Sequence, residues 1–391
     1  MQDFFKIPLT GGIIVLGLSW IFTFAYKEKF QALLKQPTAI AFITLYLLHL
    51  LSTIYTENHA EGWNDIRLKI TLFLLPLFMM STRVLLSEQR IFLLKFFAVL
   101  MMLMAGADLA LSLSEYLINA SPEAFYYTKL THVLASKPHY VAWYYSFAMF
   151  IALYHLLTSK KWGALWIFGF ILLLTSLLLL SSRAYIMAFS IVFSVSFVKW
   201  VKVNAISNLA WVKLLFAVSL FFGAIFVIPK TNLRINEAFI ELQKLFGADI
   251  HKQTNPRVYL WECALDVIVE KPILGHGVGD AKAQLNSALK DCDAKFWNGE
   301  RNVPISERNY NFHNQFLQTW AEVGILGLLL LIFLMIRPFY HKDQHPLFLI
   351  FLGLTFIGFL TESMLERQAG VVLIAFMYPL LSGLKNKKES F

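Results

Sequence analysis

Cysteine is almost absent from this chain of 391 residues, which contains only Cys263 and Cys292. The two cysteines do not have the spacing of a metal-binding set. They could form a disulfide only if their segment faces an oxidising compartment, and two unpaired structural thiols explain them equally well. We therefore assign them no role.

Charged residues are also scarce. They make up 15% of the chain, whereas hydrophobic residues make up 58% and the mean hydropathy is +0.59. Such a chain is too apolar for ordinary soluble domains, so lipid is expected to bury most of it. The net charge of +9 comes without a basic run interleaved with aromatic residues, which argues against nucleic acid as a partner.

Several common catalytic signatures are missing as well. The sequence has no P-loop, no Asp-x-Asp pair on a Rossmann-like unit, no metal-spaced group of His and Cys, and no nucleophile elbow. The glycines at 275, 277 and 279 do not follow a strand, so they are not a dinucleotide fingerprint. The stretch from Gly11 to Tyr26 lacks a basic n-region and a cleavage site, so we expect the first span to be retained.

The chain has instead a series of apolar stretches, most of them close to the roughly 20 residues that a helix needs to cross a bilayer. We predict an all-α, polytopic transmembrane bundle of about eleven spans. The stretches lie at about 8–26, 38–55, 68–82, 91–114, 139–158, 163–181, 184–201, 210–229, 314–336, 346–361 and 368–384.

Lysine and arginine are unevenly distributed among the connections. One set of span ends carries sixteen of them, and the opposite set, leaving aside one long loop, carries seven. Because short basic loops stay in the cytoplasm, we predict that the N-terminus and the long loop lie outside and the C-terminal basic tail inside. The predicted division is N-terminal helices at 1–229, an external loop domain at 230–313 and C-terminal helices at 314–391.

The long loop is predicted to be mainly helical. Asn236–Phe246 and Arg257–Glu270 have helical periodicity, and Asp280–Leu289 is a third candidate helix. Lys271-Pro272 ends the second helix, a glycine-rich turn follows it, and an irregular polar stretch leads to Phe312. Polar loops of this length are usually functional, so the site is expected here.

Two arginines are candidates for binding an anion. Arg183 lies at the outer junction of two apolar stretches, where either an anion site or an interfacial arginine whose side chain reaches the headgroups would explain it. Arg257 follows Asn255-Pro256 in the first turn of a predicted helix, where the helix terminus and the guanidinium both favour a phosphate. A solvated surface charge is the alternative.

His313 lies where the long loop re-enters the membrane at the outer face. A histidine can act as a general base near neutral pH, although a lone interface histidine is more often a hydrogen-bonded structural residue. Asn314 and Gln318 could orient it or a sugar hydroxyl, and Glu322 follows on the same helix.

The connection between the last two spans adds three charged residues on the same predicted face. They are Glu362, Glu366 and Arg367. Arg367 is a further candidate for support of the site, and a structural ion pair is the alternative.

These residues resemble a family, the bacterial O-antigen ligases with the related O-antigen polymerases and protein O-oligosaccharyltransferases. Four features from about Arg183 to Gly327 carry the resemblance. They are Ser182-Arg183, Arg257-x-x-x-Trp261, Pro272-x-x-Gly275-x-Gly277-x-Gly279, and His313-Asn314-x-Phe316-Leu317 leading to Glu322-x-Gly324-x-x-Gly327. Family members commonly have about twelve spans, and this chain lacks one near its N-terminus.

The resemblance implies a metal-independent glycosyltransferase of the bacterial inner membrane that needs no cofactor and works at the periplasmic face. It would move a glycan from undecaprenyl diphosphate to lipid A core oligosaccharide, with Arg183 and Arg257 holding the diphosphate and His313 acting on the acceptor hydroxyl. Polymerisation of glycans and protein glycosylation are alternatives within the family. A lipid-linked glycan flippase is a more distant one, and it would need several charges inside the spans, of which Asp108 is the clearest.

Overall fold

The computed structural model of the protein describes residues 2–82, 85–134, 136–158, 162–203, 232–233, 236, 256–291, 295–297, 302–305, 309–341 and 343–385. The predicted span at 210–229, most of the predicted helix Asn236–Phe246, Cys292 and most of the basic tail lie outside these residues. Cys263 is buried. The predicted eleven-span count, external loop and domain division stay predictions.

The described chain is almost entirely helical, as predicted. Its α-helices are α1 Gln2–Phe22, α2 Tyr26–Leu34, α3 Pro37–Ser52, α4 His59–Lys69, α5 Thr71–Met80, α6 Ser87–Asn119, α7 Pro138–Thr158, α8 Gly163–Leu179, α9 Arg183–Val203, α10 Pro256–Glu270, α11 Ala281–Asp291, α12 Gln315–Ile336, α13 Pro346–Thr361 and α14 Gln368–Ser382. Short 3-10 helices lie at Pro122–Phe125, Tyr127–Leu130, Arg337–Tyr340 and Met364–Glu366.

One element differs from the prediction. The stretch before Phe312, which we expected to be irregular, contains the antiparallel strands β1 Lys295–Trp297 and β2 Asn302–Pro304. The sequence between them begins with Asn298-Gly299, a pair that is typical of hairpin connections. The paired segments are only three residues long, which is too short for a period-2 pattern to stand out.

Four described helical segments are long and apolar enough to cross a membrane. They are Ser87–Asn119, Pro138–Thr158, Arg183–Trp200 and Gln315–Tyr340, and the sharply bent pair Thr10–Phe22 and Tyr26–Leu34 would make a fifth. Shorter apolar helices lie at Pro37–Ser52, Gly163–Leu179, Pro346–Thr361 and Gln368–Ser382. Several predicted spans therefore exist as apolar helices.

The chain divides into two compact units. The first contains residues 91–243 and 350–358, and its core packs α7 against α8 and α9. The Trp143 ring in α7 stacks on Phe351 with ring centroids 5.8 Å apart. Asp108 of α6 is buried beside this core, where it accepts hydrogen bonds from Tyr145 Oη at 3.1 Å and Val133 N at 2.8 Å.

The second unit contains residues 3–90, 244–349 and 359–391. Its apolar layer joins α3, α5, α12 and α14, and the polar helices α10 and α11 pack on each other and on α12. The contact among α10, α11 and α12 completely buries Leu260, Ala264 and Leu285. The unit therefore combines membrane-type helices with the helical part of the long loop.

Helix α12 is broken in its first half. Val323 and Gly324 leave the helical conformation, and Gly324 has a φ of 71°. The turn Pro272–Gly277 fills the break: His276 N donates to Ala321 O at 2.8 Å, Gly277 N to Glu322 O at 3.0 Å, and Ile325 N to Pro272 O at 2.9 Å. Backbone groups that lose their helical partners at the break thus find new ones in the turn.

Gly324→Ala is expected to destabilise the protein by about 3 kcal/mol, because a left-handed φ and a backbone clash act together. A Cβ atom at this position would lie 1.8 Å from Ile273 O. The measurement is the thermal stability of the purified protein in detergent. Gly12→Ala is the matched control, since a Cβ atom there meets nothing within 4 Å; equal stability of the two variants would contradict the role of the break.

Candidate active site

Glu362 joins two of the residues that the sequence analysis selected. Its Oε2 atom lies 2.9 Å from His313 Nδ1 and 3.8 Å from Arg257 Nη2. The Glu362 side chain is only 8% exposed, whereas the Arg257 side chain is 33% exposed and therefore reaches the surface of the protein. A carboxylate, an imidazole and a guanidinium therefore meet where the loop helix α10 begins, where α12 begins and where α13 ends.

The backbone around His313 fixes the imidazole in place. His313 has a φ of 44°, which is rare for a residue with a side chain, and its N–H donates to Asn311 Oδ1 at 3.2 Å. The next residue, Asn314, is the N-cap of α12 and accepts hydrogen bonds from Phe316 N at 2.9 Å and Leu317 N at 3.1 Å. Asn314 thus holds the helix start through its side-chain oxygen.

The geometry is that of a histidine oriented by a carboxylate. When Nδ1–H donates to Glu362, the second ring nitrogen, Nε2, carries the lone pair and can accept a proton. Arg257 adds a positive charge next to the same carboxylate, and a guanidinium is a group that binds anions through forked N–H donors. The group can therefore combine proton transfer with binding of a negatively charged leaving group.

Gln318 and Glu322 extend from this region into the protein interior. Gln318 Nε2 donates to Glu322 Oε1 at 2.6 Å, and Glu322 Oε2 contacts Lys69 Nζ at 3.0 Å. All three side chains are almost completely buried. Gln318 and Glu322 were expected to support the site, and the structure places them in this buried polar cluster behind it.

Lys69 is the centre of the cluster. Its Nζ atom also contacts Asp65 Oδ2 and Glu366 Oε1, both at 2.8 Å. The three carboxylates of Asp65, Glu322 and Glu366 lie close enough together to resemble a cation site. The ammonium of Lys69 already supplies that cation. Burial raises the pKa of Asp65 and of Glu366, and the neighbouring ammonium of Lys69 opposes that rise.

The glycine-rich turn after α10 is also hydrogen-bonded to the segment between α3 and α4. Gly279 N donates to Thr56 Oγ1 at 3.1 Å, and the carboxylate of Asp280 accepts from Glu57 N at 2.6 Å and Asn58 N at 2.9 Å. A Cβ atom at Gly279 would lie 2.2 Å from Asn58 O, so only glycine fits. The turn thus connects the α3–α4 segment with the broken helix that carries Glu322.

Arg183 and Arg367 are the two other predicted site residues. Arg183 is the first residue of α9 and belongs to the first unit, where its side chain is partly exposed. Arg367 is exposed at the N-cap of α14, and its carbonyl accepts from Gly370 N at 3.0 Å. The roles of both in the site stay predictions.

The fold and this site are those of a membrane protein. The arginine and the histidine of the site lie on a long polar loop and at the end of that loop, and the carboxylate lies between the last two apolar helices. Residues 168–332 match the family model described as O-antigen ligase. The resemblance to this family is thereby confirmed for the segment that contains Arg183, Arg257 and His313.

A curated relative agrees with the match. A protein of Rickettsia conorii named "Putative polysaccharide ligase" is 34% identical over 83 residues, which are 21% of this chain. The chain covers 18% of that relative's length. Lys69 and Glu362 lie outside the segment that the family model matches.

Asp280→Asn is expected to lower the stability by about 1 kcal/mol at pH 7, because an amide cannot replace a carboxylate that accepts two N–H groups. Burial raises the pKa of Asp280, but the hydrogen bonds from Glu57 and Asn58 outweigh it and bring the pKa below its usual value of 3.8. A lowered pKa stabilises the folded state above that usual value, and the effect is lost as the pH falls through the folded-state pKa.

The measurement is the difference in Tm between wild type and Asp280→Asn from pH 7 to pH 3. The difference should be constant near neutral pH and disappear in acid. A difference that does not depend on pH would show that the carboxylate charge has no part in holding the turn.

Proposed function

We propose that this protein is a glycosyltransferase of the bacterial inner membrane, which moves a glycan from undecaprenyl diphosphate to lipid A core oligosaccharide at the periplasmic face. The contact of Glu362 with both His313 and Arg257 is the observation that carries the proposal, because it puts a proton acceptor beside a cation. The match to the O-antigen ligase model supports this choice of substrates.

The acceptor hydroxyl attacks the anomeric carbon of the donor glycan from the side opposite the diphosphate. A new C–O bond forms as the bond from the anomeric carbon to the diphosphate oxygen breaks, so the configuration inverts. The hydroxyl proton goes to His313 Nε2, and undecaprenyl diphosphate leaves with the electron pair. Help from a general base accelerates such a step by about 10² to 10⁴.

The leaving diphosphate gains negative charge as the bond breaks. Arg257 can match that charge with forked N–H donors, and Arg183 is proposed as the second diphosphate ligand. Two guanidinium groups would neutralise a diphosphate without a divalent cation. We therefore expect the reaction to need no metal ion and no cofactor.

Two related reactions use the same chemistry with another acceptor. A polymerase would transfer the glycan to a second lipid-linked glycan, and a protein O-oligosaccharyltransferase to a protein hydroxyl. A flippase is disfavoured by Asp108, since this clearest of the intramembrane charges is engaged with Tyr145 and the backbone of Val133. Purified protein with one defined lipid-linked donor and each acceptor in turn would decide among the reactions.

Arg257→Ala is expected to nearly abolish glycan transfer, since loss of one charge-stabilising donor raises the barrier by about 3 kcal/mol. The measurement is the lipopolysaccharide profile of a deletion strain that carries the variant, with membrane-inserted protein quantified alongside. Loss of ligation leaves bare core and long lipid-linked chains, whereas loss of polymerisation leaves single repeats on the core. A normal profile would refute the proposed role of Arg257.

His313→Ala is expected to slow turnover in vitro by about 10² to 10⁴, with residual transfer from donor positioning. His341→Ala is the matched control, because it removes an exposed imidazole beyond the far end of α12 and leaves His313 and Glu362 in place. Wild-type turnover by His313→Ala would exclude His313 as the base.

A further inference from the structure

The residues after Glu362 form a loop that is held from several sides. We call Glu362–Arg367 the tip loop. Ser363 Oγ donates to Gln318 Oε1 at 3.3 Å, and Leu365 N donates to Gln315 Oε1 at 2.6 Å. Glu366 ends this series of contacts at the ammonium of Lys69. The backbone beside Glu362 is therefore anchored through three of its next four residues.

Lys69 differs from the other anchors because it is charged and fully buried. Three carboxylates surround its Nζ atom within 3.0 Å, one from α4, one from α12 and one from the tip loop. His49 Nε2 lies 3.3 Å from Glu322 Oε2 in the same cluster. Removal of the lysine would leave buried carboxylates without their cation, which is strongly unfavourable.

The geometry points to Lys69 as a positioning residue, which fixes the tip loop so that Glu362 holds His313 and Arg257 in their catalytic arrangement. Lys69 acts only through the loop, since the carboxylates of Asp65, Glu322 and Glu366 surround its ammonium. Its effect on turnover rests on the proposed function. Its effect on the loop does not.

Lys69→Met tests both effects in the full-length protein reconstituted in lipid nanodiscs. Hydrogen exchange of the tip-loop amides should become about tenfold faster, because the loop opens locally without its ion pair. The kcat for glycan transfer should fall by roughly 10²-fold, as expected for a displaced catalytic group, with a much smaller change in KM for the lipid-linked donor.

Lys29→Met is the matched control. Lys29 is also buried in the second unit, but it donates to Trp20 O and, at 2.8 Å, to Thr23 Oγ1, away from the cluster. This variant should leave tip-loop exchange unchanged. If Lys69→Met does not fold, Glu366→Ala provides the second test, because it releases the loop and leaves Lys69 paired with Asp65 and Glu322.

Unchanged tip-loop exchange in Lys69→Met or Glu366→Ala would overturn the proposal, and so would faster exchange with wild-type kcat. If the wild-type protein transfers no glycan from any lipid diphosphate donor, the proposed function fails instead. The exchange experiment then still decides whether Lys69 fixes the tip loop.

Discussion

The second unit depends on one exchange of backbone hydrogen bonds. The helical conformation of α12 is interrupted at Val323 and Gly324. The backbone groups that lose their helical hydrogen bonds there bond instead to the turn Pro272–Gly277. Buried peptide groups inside an apolar helix are tolerated only when they are paired. The exchange therefore fixes the loop helix α10 against the span that begins next to His313, and Arg257 at the start of α10 is positioned with it.

A second constraint is electrostatic. The break in α12 lies directly after Glu322, and this carboxylate needs a cation in a region from which water is excluded. Lys69 meets that need from α4 and reaches Glu366 in the tip loop at the same time. The backbone exchange and the buried charge cluster thus connect the same segments, one through peptide groups and the other through side chains.

The sequence predicted the helical membrane class, the helices α10 and α11, and the two residues Arg257 and His313 that meet at Glu362. It could do so because helical periodicity and local motifs are short-range signals. Glu362 is 49 residues from His313 and Lys69 is 253 residues from Glu322, and no periodicity links such distant positions. Asp65 and Lys69 have the i,i+4 spacing of a helical ion pair, but that spacing does not indicate Glu322 or Glu366 as further partners.

The glycines illustrate the same limit. Their spacing predicted a turn after α10, whereas the requirement at Gly324 arises from contact with Ile273 O, fifty-one residues earlier. The hairpin between β1 and β2 was missed despite its Asn-Gly signal, since strands of three residues carry almost no pattern. Tertiary contacts, more than local propensity, decide these positions.

The hydrogen bonds between the turn and the broken helix also determine which segments a chimeric protein has to take together. A chimera that takes the long polar loop from this protein and the following helix from another separates Pro272–Gly277 from Ala321–Ile325, although each segment supplies the hydrogen-bond partners of the other. The two segments form one structural module in spite of their distance along the chain. Designs that exchange the loop of this protein should therefore move both segments together.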